Sequence, residues 1–287
     1  MQYAFIREHA QEYPVRCQCR VLKVAESGYY AWLQAQPSAR QQADEQLLVE
    51  IQAIYQQNRR LYGSPRIHAE LKKQGWQCSR KRVARLMRQA HLASLRQRHR
   101  RVQTTDSKHR FPVAANSLNR QFGAQRPNQK WVADITYIPT HSGWLYLAAV
   151  LDLFSRRIVG WAMSAHCDAH LVQNALTMAL SQRQPQADLL HHSDRGSQYA
   201  AHDYQTLLAN HHITVSMSRK GNCYDNAVME SFFRTLKAEC VDLHLFLSRT
   251  HARSVIFEFL EVYYNRQRLH STLGYCTPAA FEAASFH

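Results

Sequence analysis

Hydrophobic residues change their spacing along this chain, and the changes divide it. In the first third they recur at helical intervals: Leu47, Leu48, Ile51, Ile54 and Tyr55 form one stripe. A short helix is predicted over 67–73, a turn at Gln74 and Gly75, and a second helix capped by Ser79 that runs to Met87 with Val83, Leu86 and Met87 inward. Helix, glycine turn and capped helix make a helix-turn-helix pattern. Upstream, 16–22 and 27–33 read as two short helices around a turn, and Ser38 as the cap of the 44–55 helix. From Lys130 onward the pattern becomes that of strands. The runs 131–138, 144–152 and 157–163 predict an antiparallel meander. A helix over 170–180, a strand over 189–193, a helix over 202–210 and a strand over 213–217 follow. A polar loop then opens into a helix from Ala227, with Asp225 or Asn226 as its cap. A long helix over 248–268 precedes an irregular tail.

Three strands, helix, strand, helix, strand, helix is the order of an RNase H-like α/β fold. In such a fold the first and fourth strands run side by side and parallel. The expected organisation is a helical region with the helix-turn-helix over 1–95, a basic linker over 96–121, an α/β core over 122–240, and a C-terminal helix and tail over 241–287.

Charge sharpens this division. The net charge is +15, and between Arg59 and Arg110 sixteen Lys or Arg face only Glu70 and Asp106. A basic patch confined to the helix-turn-helix and the linker is the footprint of a polyanion. Arg80, Lys81, Arg82 and Arg85 on the second helix are the candidate DNA contacts. The linker, rich in Arg, Gln, Thr and Ser, is expected to order on nucleic acid. No apolar run is long enough for a membrane span. The seven cysteines show no C-x-x-C pair, which points to reduced thiols and away from a structural zinc.

Three carboxylates stand out. Asp134 lies inside the first predicted strand, where Asp is disfavoured. Asp194 ends the fourth, before Gly196, where an Asx turn is the plainer use. Glu230 shares a helix face with Arg234 and Lys237, which could equally be a solvated ion-pair stripe. Asp152 is a rival carboxylate, read as a turn residue or a supporting group. Asp194 and Glu230 are separated by 35 residues. That spacing resembles the triad of retroviral-type integrases and bacterial transposases. Four words in order, W-x-x-D-I-T-Y from Trp131, H-S-D-R-G-S-Q-Y from His192, D-N-A-x-x-E-S-F-F from Asp225 and Y-N-x-x-R-x-H-S-x-L-G-Y from Tyr264, resemble the insertion-sequence-three family of transposases.

The resemblance implies that Asp134, Asp194 and Glu230 are catalytic and hold two Mg²⁺ ions, with Mn²⁺ as a substitute. It implies cleavage and strand transfer at the ends of a bacterial insertion sequence. The implied partners are terminal and target DNA, further copies of the chain on DNA, and an upstream-frame protein with a helix-turn-helix and leucine zipper. The implied location is the cytoplasm, at the nucleoid. His192, Asn226, Arg234 and Lys237 are candidates for DNA-end contacts or for support of the triad. Two alternatives stay open: a DNA-binding regulator with an inactive second domain, and a structure-specific nuclease of the same fold.

Overall fold

The computed structural model describes residues 2–95 and 111–286. The expectation for the basic linker therefore falls mostly outside the described residues.

The N-terminal third is helical: α1 (Gln2–Glu8), α2 (Val15–Val21), α3 (Glu26–Gln34), α4 (Ala39–Gln57), α5 (Ser64–Lys73) and α6 (Arg80–Gln89). Ser38 and Gln41 close a reciprocal capping box on α4. Ser79 Oγ accepts the Arg82 N–H at the start of α6. Between α5 and α6 the chain turns at Gly75, whose φ of +88° suits glycine. Leu47, Ile51, Ile67, Leu71, Val83 and Leu86 fill the core of this α4–α6 unit.

The α/β part is a five-stranded sheet: β1 (Lys130–Thr140), β2 (Gly143–Asp152), β3 (Ile158–Ser164), β4 (Leu190–Ser193) and β5 (Thr214–Met217), in the order β3-β2-β1-β4-β5. β1 and β2, and β2 and β3, are antiparallel; β4 is parallel to both β1 and β5. Crossovers α7 (Ala169–Arg183), α8 (Ser197–Ala200) and α9 (His202–Asn210) cover one face with Trp131, Ala133 and Val150 beneath them. α10 (Ala227–Glu239) and α11 (Arg249–Glu258) cover the other, over Val132, Leu147 and Ile138. Gly160 on β3 lets α7 approach closely, since a Cβ there would lie 2.3 Å from the Ala175 carbonyl oxygen.

Three expectations need correcting, and α1 is an element the spacing does not predict. The tail is not irregular, since it closes with the helix Pro278–Ala283. The 248–268 helix is not uniform: α11 passes into a π-helical turn over Phe259–Tyr264. Beyond that turn Asn265 bonds both backbone groups of Ile158, while Glu261 within it takes the Trp161 indole N–H at 2.7 Å. Neither Asp225 nor Asn226 caps α10 with its side chain. Asp225 instead accepts bonds from Arg219, Arg120 and Asn116, so its carboxylate ties the segment entering the core to the loop before α10. Those two guanidiniums, Arg219 first, hold the Asp225 carboxyl far below the usual carboxylate range. α12 (Pro278–Ala283) ends the fold, with Glu282 pairing Arg157 and Arg183.

Candidate active site

Strand pairing brings the two aspartates together. The parallel register places Val132 opposite His192, and two residues further on each strand stand Asp134 and Asp194. Side chains alternate faces along β1, so Asp134 shares the face of Val132 and Ile138, toward α10. The Asp194 carboxylate accepts the Gly196 N–H at 2.9 Å, which makes it an Asx turn as well as a strand end. A Cβ on Gly196 would stand 3.0 Å from that same oxygen, so glycine leaves room for the carboxylate.

Glu230 comes from the first turn of α10. Asn226 fixes the entry of that helix by donating from its side-chain amide to the Ala133 carbonyl, next to Asp134, at 3.1 Å. Glu230 is half-buried and Arg234 exposed. No ion pair joins them among the described residues.

The electrostatics show that Asp134 feels both of the other carboxylates. Burial, then the Asp194 charge, and more weakly Glu230, push the Asp134 carboxyl well above the usual carboxylate range. The Ile135 N–H and the Lys237 ammonium oppose them. Lys237 is half-buried; its own pKa is lowered by burial, against the attraction of Asp242 and Asp134. Among the described residues no three His, Cys, Asp or Glu side chains are gathered tightly enough to grip an ion as they stand. The donor set is nevertheless all carboxylate oxygen, desolvated and self-repelling, and a hard divalent cation fits such a set.

The sequence reading missed the floor of the site. Tyr199 is buried, its hydroxyl makes no hydrogen bond among the described residues, and burial followed by the Asp134 charge pushes its pKa far up. Gln198 holds the Cys167 carbonyl and thiol at 3.1 and 3.3 Å. The signal for Tyr199 was its place in the word that contains Asp194.

Other candidates sort themselves by burial. His192 is wholly buried, bonded to Ser216 Oγ at 2.9 Å and Ser218 Oγ at 3.1 Å, so it ties β4 to β5 and cannot touch DNA. Burial lowers its pKa to about 4 and keeps it neutral. Asp152 is a turn residue, accepting N–H groups from Asn128, Phe154 and Ser155. On α6, Arg80 and Lys81 are exposed, whereas Arg82 and Arg85 each reach Asp44 on α4 at 2.6 Å.

Family models of an HTH-like domain and of an integrase core domain match residues 42–101 and 124–223, and a second integrase core model matches 211–278. "Transposase InsF for insertion sequence IS3A" of Escherichia coli (strain K12) is 43% identical over 284 residues, 98% of each chain. This chain belongs to the insertion-sequence-three family of transposases. The "Insertion element IS600 uncharacterized 31 kDa protein" of Shigella sonnei is 48% identical over 263 residues, covering 92% of this transposase and 96% of that protein. The HTLV-2 integrase catalytic core domain in complex with magnesium aligns with a TM-score of 0.41 at 15% identity, over 56% of the transposase and 99% of that chain. Transposition, a recombination reaction of DNA, is the activity of the family to which this chain belongs.

Proposed function

We propose that this transposase cuts and joins DNA at the ends of its insertion sequence, with Asp134, Asp194 and Glu230 as the ligands of two Mg²⁺ ions, Mn²⁺ being able to substitute. The observation that carries the assignment is the convergence of the three groups: two aspartates level on parallel neighbours, and a glutamate whose helix is tied to the backbone beside one of them. Two such ions, when bound, stabilise the entering and the departing oxygen of an in-line displacement at phosphorus. Water is the first nucleophile and frees a 3′-hydroxyl; that hydroxyl attacks a second phosphodiester. Each step breaks one P–O bond and makes another, so no covalent bond to the protein is needed. The working form is an oligomer on DNA, alone or with an upstream-frame partner that carries a leucine zipper, and it acts at the nucleoid.

Magnesium itself gives a test independent of turnover. It is expected to raise the melting temperature of the wild type, because a ligand bound only by the folded state stabilises by about 2.7 kcal/mol at a hundred times its Kd. Asp134→Asn and Asp194→Asn are expected to lose most of that shift. Equal shifts in wild type and variants would refute the assignment.

Arg234 and Lys237 divide the work of their helix face. Arg234, exposed and without an ion pair among the described residues, positions DNA; Lys237 tempers the charge on Asp134. Arg234→Ala is therefore expected to weaken end binding with an unchanged Mg²⁺ midpoint. Lys237→Ala is expected to lower the Mg²⁺ midpoint, since a competing cation is gone. A Mg²⁺ titration of cleavage beside a DNA-binding curve reads both, and the reverse pattern would refute the division.

On α6, Arg80 and Lys81 are the proposed phosphate contacts, while Arg82 and Arg85 mainly hold the helix to Asp44. Neutralising either of the first two is expected to lower the slope of log K against log salt by about 0.9. Neutralising Arg82 or Arg85 is expected to lower the melting temperature slightly instead, with less change in the slope. An unchanged slope for Arg80→Gln and Lys81→Gln would show that these charges face only solvent.

A further inference from the structure

One step round α10 from Glu230 lies a cleft of about 180 Å³. Its polar lining is Arg156, Ser231, Thr235, Tyr264, His270 and Thr272, with no carboxylate among the lining residues. Ser231 directly follows Glu230, and Thr235 directly follows Arg234. At 100° per residue, the two hydroxyls continue the polar arc that Glu230 and Arg234 begin.

Arg156 is the unusual member. It sits in the β2–β3 turn at a φ of +59°, a conformation that L-residues other than Asn and Asp seldom adopt. Its Nη2 makes one long bond, 3.3 Å, to the Phe122 carbonyl. Its Nη1 is buried and has no acceptor among the described residues. Burial lowers its pKa, so the guanidinium is held in a place that penalises its charge. Leaving a buried cationic donor unsatisfied is costly, and a planar guanidinium fork is shaped for a phosphate. His270 adds a neutral ring: burial and the surrounding Arg268, Arg156 and Arg66 charges bring its pKa to about 4, and its Nδ1 is engaged by Thr272 Oγ1 at 2.8 Å.

We propose that this cleft is a phosphate subsite, in which the Arg156 guanidinium, aided by the Ser231 and Thr235 hydroxyls, grips a backbone phosphodiester of the strand whose neighbouring phosphate lies at Glu230. The proposal rests on the transposase reading above and names a contact which that reading does not contain. The cleft gives the strand a fixed point beside the reacting phosphate, so register at the scissile bond is set by a sequence-independent contact.

The test uses the full-length protein and a duplex carrying the terminal repeat of its own element. Arg156→Gln is expected to lower the slope of log K against log salt by about 0.9, and Arg156→Lys to retain part of it. Replacing single phosphates by neutral methylphosphonates is expected to weaken wild-type binding at one position near the scissile bond, and to have no further effect there in Arg156→Gln. Ser231 is exposed, so Ser231→Glu should fold, and its carboxylate is expected to weaken binding about tenfold or more by facing the phosphate. Unchanged DNA affinity in Ser231→Glu, or an unchanged slope in a folded Arg156→Gln, would overturn the proposal. So would stabilisation of the wild type by millimolar inorganic phosphate together with an unchanged DNA slope in Arg156→Gln, which would assign the cleft to a free anion. Mg²⁺-dependent cleavage by the wild type is run in parallel: if it holds while the slope is unmoved, only the subsite fails.

Discussion

Asp134→Asn, Asp194→Asn and Glu230→Gln are each expected to abolish strand cleavage while leaving duplex binding within a few-fold of wild type. Losing a ligand that places several kcal/mol of charge stabilisation in the transition state lowers the rate about a thousandfold for every 4 kcal/mol. The helix-turn-helix and its basic residues are untouched, so binding persists. The Asp134 variant carries a second signature. Its carboxyl is driven upward by burial and by Asp194 and Glu230, so in the metal-free protein the charged form is destabilising. Between the unfolded and the folded pKa, the folded state keeps a proton that the unfolded chain has released. Stability therefore falls as pH rises through that window above the usual carboxylate range. Asp134→Asn removes the titration, and it is expected to melt higher than wild type at neutral pH without Mg²⁺ and to show a flatter pH dependence. A carboxylate with a purely structural role would give the opposite sign. Thermal melts at several pH values, with and without the metal, separate the two.

The second large effect lies far from the chemistry. Glu239, at the end of α10, is buried and receives two bonds from the Arg268 guanidinium, at 2.6 and 2.8 Å. Arg66 of α5 reaches the same carboxylate at 3.5 Å and the Leu269 carbonyl at 3.0 Å. Tyr62 donates to the Gln267 carbonyl and accepts the Leu269 N–H, and Leu269 itself is buried in the core of the α4–α6 unit. Removing one partner of such a pair leaves a buried charge uncompensated, at about 3–5 kcal/mol. Glu239→Gln is therefore expected to lower the melting temperature by on the order of 10 °C. It leaves Arg66 and Arg268 facing each other across a neutral amide. The α5–α6 unit should then lose its fixed position on the catalytic helix, so end cleavage falls further than DNA binding. A melting temperature within about 2 °C of wild type would contradict this reading.

That second site shows where sequence reading stops. Periodicity sufficed for α4 to α6, because each buries one face and repeats it, and β-rich runs between turn residues sufficed for the strands, which are covered on both faces. The words around Asp134, Asp194 and Glu230 pointed to the candidate triad through the family resemblance, since Asp194 and Glu230 each have plainer local uses. The word from Tyr264 to Tyr275 was different. Taken locally, Asn265 and Arg268 suit the cap and cations of a helix end. In the fold Asn265 stitches α11 to β3, Arg268 neutralises Glu239, and Leu269 enters another core. Each of those partners lies far along the chain, and nothing in local spacing encodes them. Asp225 misled in a related way: its short side chain suits a cap, yet the neighbouring Arg219 guanidinium and, from far along the chain, the Arg120 guanidinium and the Asn116 amide claim it. The π-helical turn was equally illegible, since an uninterrupted apolar stripe reads as plain α-helix.

The central claim is that these three carboxylates serve strand transfer, and not binding alone or cutting alone. The most direct measurement offers the full-length protein a duplex of its own element end, already cut to expose the 3′-hydroxyl, together with target DNA and Mg²⁺, and looks for joined product. The account predicts joining by the wild type, dependent on the metal and absent from Asp134→Asn, Asp194→Asn and Glu230→Gln. Nicking without joining would make the protein a nuclease of the same fold, and binding without either would make it a DNA-binding regulator; each of these results would contradict the account.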